Sequence, residues 1–130
     1  RWTRDYVKKE GLTNVTVIEG AAAATNLPNG CCDAVFLRHV YHHITEIAAF
    51  NASLRAPLKP GGRLAIIDFE GRRDPAQIPK GVPANRLGHG IPAAVVVDEV
   101  TAAGFTHVRT IDAWPPGDKN PVGFLPLFRK

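Results

Sequence analysis

Methionine is missing from this chain altogether, even from its first position, and the opening RWTRDYVKKE carries a helical pattern. The expectation is a domain truncated at its amino terminus, with something removed from it or lying upstream. Nor does that opening contain the apolar h-region of a signal peptide. No apolar run approaches the roughly 20 residues that a membrane-spanning helix needs; runs such as IPAAVVV are far shorter, so no membrane partner is expected. Cysteine is scarce, with two neighbours, Cys31 and Cys32. Adjacent side chains on a strand point to opposite faces, so both are expected as core thiols of a reducing, cytoplasmic compartment and not as a mutual disulfide. Charge of one sign is not concentrated: the net +4 is spread over pairs such as Lys8-Lys9, Arg72-Arg73 and Arg129-Lys130. Without a basic stripe interleaved with aromatic residues, no nucleic-acid partner is expected.

What is present is an ordinary globular composition. The chain has 130 residues, 45% hydrophobic and 22% charged, enough for one domain over 1–130 with a real core and not for two. Arg1 to Glu10 places Trp2 and Tyr6 on one helical face, with Asp5 and Lys9 at i,i+4, and Gly11 ends the helix. NVTVIE, residues 14–19, is rich in β-branched residues and predicts a short strand; Pro28-Asn29-Gly30 makes the next turn. Residues 33–37 (DAVFL) are apolar after Asp33, as suits a parallel strand buried on both faces. Thr45 is expected to cap a helix to about Leu58, with Ile47, Leu54 and Leu58 inward. Pro60-Gly61-Gly62 breaks it before a third strand, RLAIIDF, over 63–69. Residues 70–90 are loop-like. Pro92 opens a helix through Ala103, ended by Gly104, and two strands over 107–113 and 122–129 close the chain. Such alternation means an α/β sheet, and the short link between the last two strands means an antiparallel edge.

Taken together, NVTVIEG, a connection with LP, CDAVFLRHVYHHI, LKPGGRLAIIDF and DEVTAAGF with a closing strand pair resemble the back half of class I S-adenosylmethionine-dependent methyltransferases. The narrower likeness is to the small-molecule branch, whose fourth strand ends in a Val-Tyr-His-His or Val-Leu-His-His phrase. The resemblance implies a partial Rossmann-like sheet. The family order is 3-2-1-4-5-7-6, and the strands here correspond to 3, 4, 5, 6 and 7, with 7 antiparallel. Strands 1 and 2, with their glycine-rich turn and ribose-binding acidic residue, have no counterpart; two βα units at about 30 residues each amount to roughly 60 residues. Strands 3 and 4 would then have unpaired edges, which invite pairing with one another, with a second copy of the chain, or with more of the same protein.

The resemblance also implies roles. The connection after strand 3 would face the adenine of S-adenosylmethionine through Gly20, Ala21, Ala22 and Leu27, although Ala21 to Ala24 offers no carboxylate to accept from the adenine amino group. Arg38 and His39, at the end of strand 4, would approach the methionine part. Tyr41, His42 and His43 follow as candidate catalytic residues at the substrate mouth, where a histidine can accept a proton near neutral pH. The alternative is that Tyr41 and one histidine pack on the sheet and cap the helix. Asp68 would look over the same cleft or be a solvated strand-end carboxylate; His89 would belong to a substrate-covering lid or simply be an exposed loop residue. No metal is expected: adjacent His42 and His43 should diverge, and no HExxH or Cys/His spacing follows. Two functions fit these residues: methyl transfer to a small molecule, or a non-catalytic module of the same fold completed by self-association.

Overall fold

The structure is a computed structural model describing residues 1–71 and 73–130, so Arg72 of the Arg72-Arg73 pair lies outside the described residues. In chain order the elements are α1 (Trp2–Lys9), β1 (Cys32–Arg38), α2 (Ile47–Arg55), β2 (Leu58–Phe69), α3 (Ala93–Ala102), β3 (Thr106–Trp114) and β4 (Gly123–Arg129). Single 3₁₀ turns occur at Tyr41–His43, Pro75–Gln77 and Ala84–Arg86. The sheet is ordered β1-β2-β4-β3: β1 runs parallel to β2, and β4 is antiparallel to both of its neighbours. The α/β class and the antiparallel closing pair therefore stand.

Four of the five expected strands form. Residues 14–19 make no ladder, and Val15 and Ile18 are exposed. A strand needs a neighbour for its amide and carbonyl groups, and β-branched composition does not supply one. This segment is instead pinned at its ends. Leu12 N donates to Val7 O at 3.1 Å, beyond the left-handed Gly11, and Asn26 Nδ2 donates to Glu19 O at 2.9 Å.

β1 is an edge strand among the described residues, not a central one. Val35 and Leu37 pack into a core with Phe50 and Leu54 of α2, Leu64 and Ile66 of β2, and Val96 and Val100 of α3. The alternate residue Phe36 is 71% exposed, because both packed helices lie on the other face and α1 buries nothing. The expectation of burial on both faces fails for that reason.

Three local boundaries differ. α2 ends at Arg55, and its N-cap is Glu46, not Thr45. Leu58 is fully buried but begins β2. Pro60-Gly61-Gly62 does not end an element; it bulges within β2, whose register jumps from Leu58 to Arg63 while β1 advances from Cys32 to Ala34. Cys31 and Cys32 are joined as a disulfide, contrary to expectation. Cys31 lies in the turn before β1 and is exposed, so the alternation of strand side chains does not separate the two sulfurs.

Candidate functional site

The parallel pair β1–β2 brings two carboxyl ends together, the place where open α/β sheets bind ligands. β1 stops because His39 takes a left-handed conformation (φ 53°) as its N–H donates to Ile67 O at 2.8 Å. The following 3₁₀ turn buries Tyr41 and His42 and leaves His43 exposed. Asp68 stands at the end of β2, and the long connection returns to it at His89. Gly90 (φ 120°) packs so closely there that a side chain would meet Phe69 O at 2.7 Å, and Ile91 N donates to Phe69 O at 3.0 Å. His89 is thus held by its backbone while its ring stays exposed.

Asp68 does not look over the cleft. It is fully buried behind His42 and accepts from His42 N (3.1 Å), His42 Nδ1 (2.8 Å) and Phe69 N (2.9 Å). Three donors compensate the loss of hydration that a buried carboxylate suffers. An ionised carboxylate only accepts, so Nδ1 of His42 carries the proton and Nε2 presents a lone pair. That lone pair points to His89 Nε2, 3.1 Å away. Burial pushes the His42 pKa below its ordinary value, helped by the nearby His43 and His89 and opposed by Asp68. Phe69 lies edge-on to His39, His42 and His89, with ring centroids 5.4, 5.1 and 5.5 Å away. The rings of His42 and His43 do not diverge: their centroids are 4.1 Å apart, because a 3₁₀ turn and not a strand carries them.

Tyr41 is held apart from these rings. Its hydroxyl donates to Glu99 Oε2 (3.1 Å) and accepts from Asn51 Nδ2 (2.8 Å). Burial is the main reason its phenol is pushed well above its ordinary range. Arg86, fully buried, forms a bidentate pair with Glu99 and lies over the Tyr41 ring. This network anchors the Tyr41–His43 turn to α2, α3 and the long connection. Sequence reasoning missed Phe69, Asn51, Arg86 and Glu99. Glu99 could have been found, since it lies three residues after Val96 on the inward side of an apolar helix; Arg86 carries no such signal.

Of the residues expected at the donor, Arg38, His39, Gly20, Ala21 and Ala22 are exposed and Leu27 is half-buried. The Ala21–Ala24 turn closes on itself, with Ala21 N donating to Ala24 O at 2.7 Å. Thr25 ties it to Ser53 of α2 through two bonds of 3.0 Å. For S-adenosylmethionine these residues offer an exposed rim without a carboxylate for the adenine amino group. By themselves they do not enclose a nucleoside.

Residues 1–66 match the family model of a methyltransferase domain. A similar solved structure is an S-adenosylmethionine-dependent methyltransferase from Aquifex aeolicus, 24% identical with a TM-score of 0.71. It aligns over 98% of this chain but 61% of its own, so the present chain spans less than two thirds of that protein. Another, from Mesorhizobium loti, is 14% identical with a TM-score of 0.75, over 100% of this chain and 76% of that one. The [4+2]-cyclase SpnF shares the fold as well, at 16% identity and a TM-score of 0.70, over 98% of this chain and 60% of its own. No curated protein matches the sequence.

Proposed function

Because the chain belongs to the methyltransferase domain family, we propose that it forms the acceptor-facing wall of a cleft in which a small molecule receives a methyl group from S-adenosylmethionine. The donor brings an already activated methyl group, so the protein's task is positioning and, for an O–H or N–H acceptor, removal of a proton. One observation carries this reading: the buried Asp68 fixes the tautomer of His42 and turns its Nε2 lone pair towards the exposed His89. His42 is the proton acceptor. His43 and His89 line the mouth beside it, and Tyr41 positions the turn through Glu99 and Asn51. The rest of the donor's enclosure comes from polypeptide outside these 130 residues.

The test is transfer of labelled methyl groups to a panel of small alcohols, phenols and amines, with the chain joined to its own upstream coding sequence. Replacing His42 by Ala is expected to lower the rate by about 10²–10⁴-fold with donor affinity unchanged. Absence of S-adenosylmethionine binding by that longer polypeptide would overturn the proposal. The 130 residues alone are expected to bind the donor weakly or not at all in calorimetry.

A second reading is favoured by the edge of β1 that has no ladder partner among the described residues and by the exposed Phe36: a non-catalytic module of the same fold, completed by a second copy of the chain. SpnF, a [4+2]-cyclase, shares the fold, so the fold by itself does not decide the chemistry.

A further inference from the structure

We propose that His42, His43 and His89 form a site for one divalent transition-metal ion of the zinc class. One ring nitrogen from each lies within 4.8 Å of the others. The two Nε2 atoms of His42 and His89 are 3.1 Å apart. Tetrahedral zinc with bonds of about 2.0–2.1 Å sets its ligand nitrogens about 3.3 Å from one another, so this pair already has nearly the required separation. His42 is buried, whereas His43 and His89 are exposed.

The surroundings are those a metal-binding imidazole uses. The Nδ1–H of His42 donates to the Asp68 carboxylate at 2.8 Å, which orients the ring and raises the basicity of the ligating nitrogen. Three protein ligands leave a fourth position open to solvent, the pattern of sites that bind water or substrate and not of structural sites. Imidazole donors suit zinc, copper, nickel and iron and disfavour magnesium and calcium. The inference rests on ring geometry alone and stands whether or not methyl transfer occurs. An ion in this place would occupy the lone pair proposed above as proton acceptor, so the transfer assay belongs in metal-stripped protein.

A simple hydrogen bond from His89 to His42 would give the same 3.1 Å separation without an ion, but His43 takes no part in that bond. His43 is therefore the discriminating residue. The experiment is titration of the full, chelator-stripped chain with Zn²⁺ by calorimetry and with Co²⁺ by absorption, without reductant so that Cys31 and Cys32 stay joined. One ion per chain and the visible bands of tetrahedral cobalt are expected. His43→Ala and His89→Ala should each weaken binding by more than about 100-fold, beyond the roughly 10–100-fold expected for Asp68→Asn, where only an outer partner is lost. His107→Ala, with its ring on Thr110, should bind as the parent does. Because His43 and His89 are exposed, their variants keep the core, and melting curves verify this. No ion bound by the parent chain, or undiminished binding by His43→Ala, overturns the proposal.

Discussion

His42 Nδ1 sits 2.8 Å from Asp68 Oδ1, both groups sealed from solvent at the meeting of two parallel strand ends. The pair joins the turn after β1 to the tip of β2 beyond the sheet ladder, since the same carboxylate also accepts from the His42 amide, while its bond to Phe69 N lies within β2. Both functional proposals depend on it, because it decides which nitrogen of His42 faces His89.

Replacing Asp68 by Ala leaves the His42 ring and two amides without their acceptor. Leaving buried donors without their acceptor costs about 1–3 kcal/mol for each group, so the loss of all three bonds is the larger penalty. Asn keeps an acceptor oxygen and should cost less, about 1–3 kcal/mol. Urea unfolding midpoints in the order parent, Asp68→Asn, Asp68→Ala check this, and equal midpoints would contradict the buried geometry.

Stability should fall with acid in a way that His42 explains. Its folded pKa lies below the ordinary value of about 6.5, chiefly through burial, so the unfolded chain binds the proton more readily. Stability from this group is complete above about pH 6.5 and is lost as the pH drops through the lower, folded value. In chelator-treated protein the melting temperature should decline as the pH falls below about 6.5, and His42→Gln should flatten that decline. A parent profile that is level or rises towards acid would contradict the assignment.

Glu99 neutralises a guanidinium that is itself fully buried, and it accepts from Tyr41 as well. Glu99→Ala should therefore cost about 3–5 kcal/mol, since Arg86 would be left as an uncompensated buried charge. Arg86→Met, removing the charge, should partly rescue Glu99→Ala in a double-mutant cycle. Additive losses would show that the two do not act as a pair.

The sheet was legible where sequence signals were local. Apolar runs at 33–37 and 63–69 and the turn-bounded segments at the end of the chain all became strands, and Gly104 ended α3 as its position implied. The strand at 14–19 was not, because strand formation depends on a partner and not on Val and Ile alone. At the site, His42, His43, Asp68 and His89 were each visible as candidates, but their union was not. Asp68 and His89 lie 26 and 47 residues from His42, and only a backbone packed against Phe69 brings the second of these close. The assumption that neighbouring rings diverge held for a strand and failed for the 3₁₀ turn that carries them.

Phe36 gives the sharpest test of whether this surface meets other polypeptide. It lies mid-strand on an edge whose outer amides and carbonyls have no ladder partner among the described residues, and it is 71% exposed. An open edge beside an apolar face is an association hazard unless something covers it. The isolated chain should then self-associate as concentration rises in sedimentation velocity. Phe36→Asp places a charge on that face and should shift the distribution to monomer. Its folding stability should change by less than about 0.5 kcal/mol, as expected for an exposed position. Val108, also exposed but on β3 at the opposite edge of the sheet, serves as the comparison. Val108→Asp should leave association unaltered, because the free edge that templates pairing next to Phe36 belongs to β1. A parent chain that stays monomeric throughout, or one that both substitutions disperse equally, would remove β1 as the contact surface and with it the self-completed module.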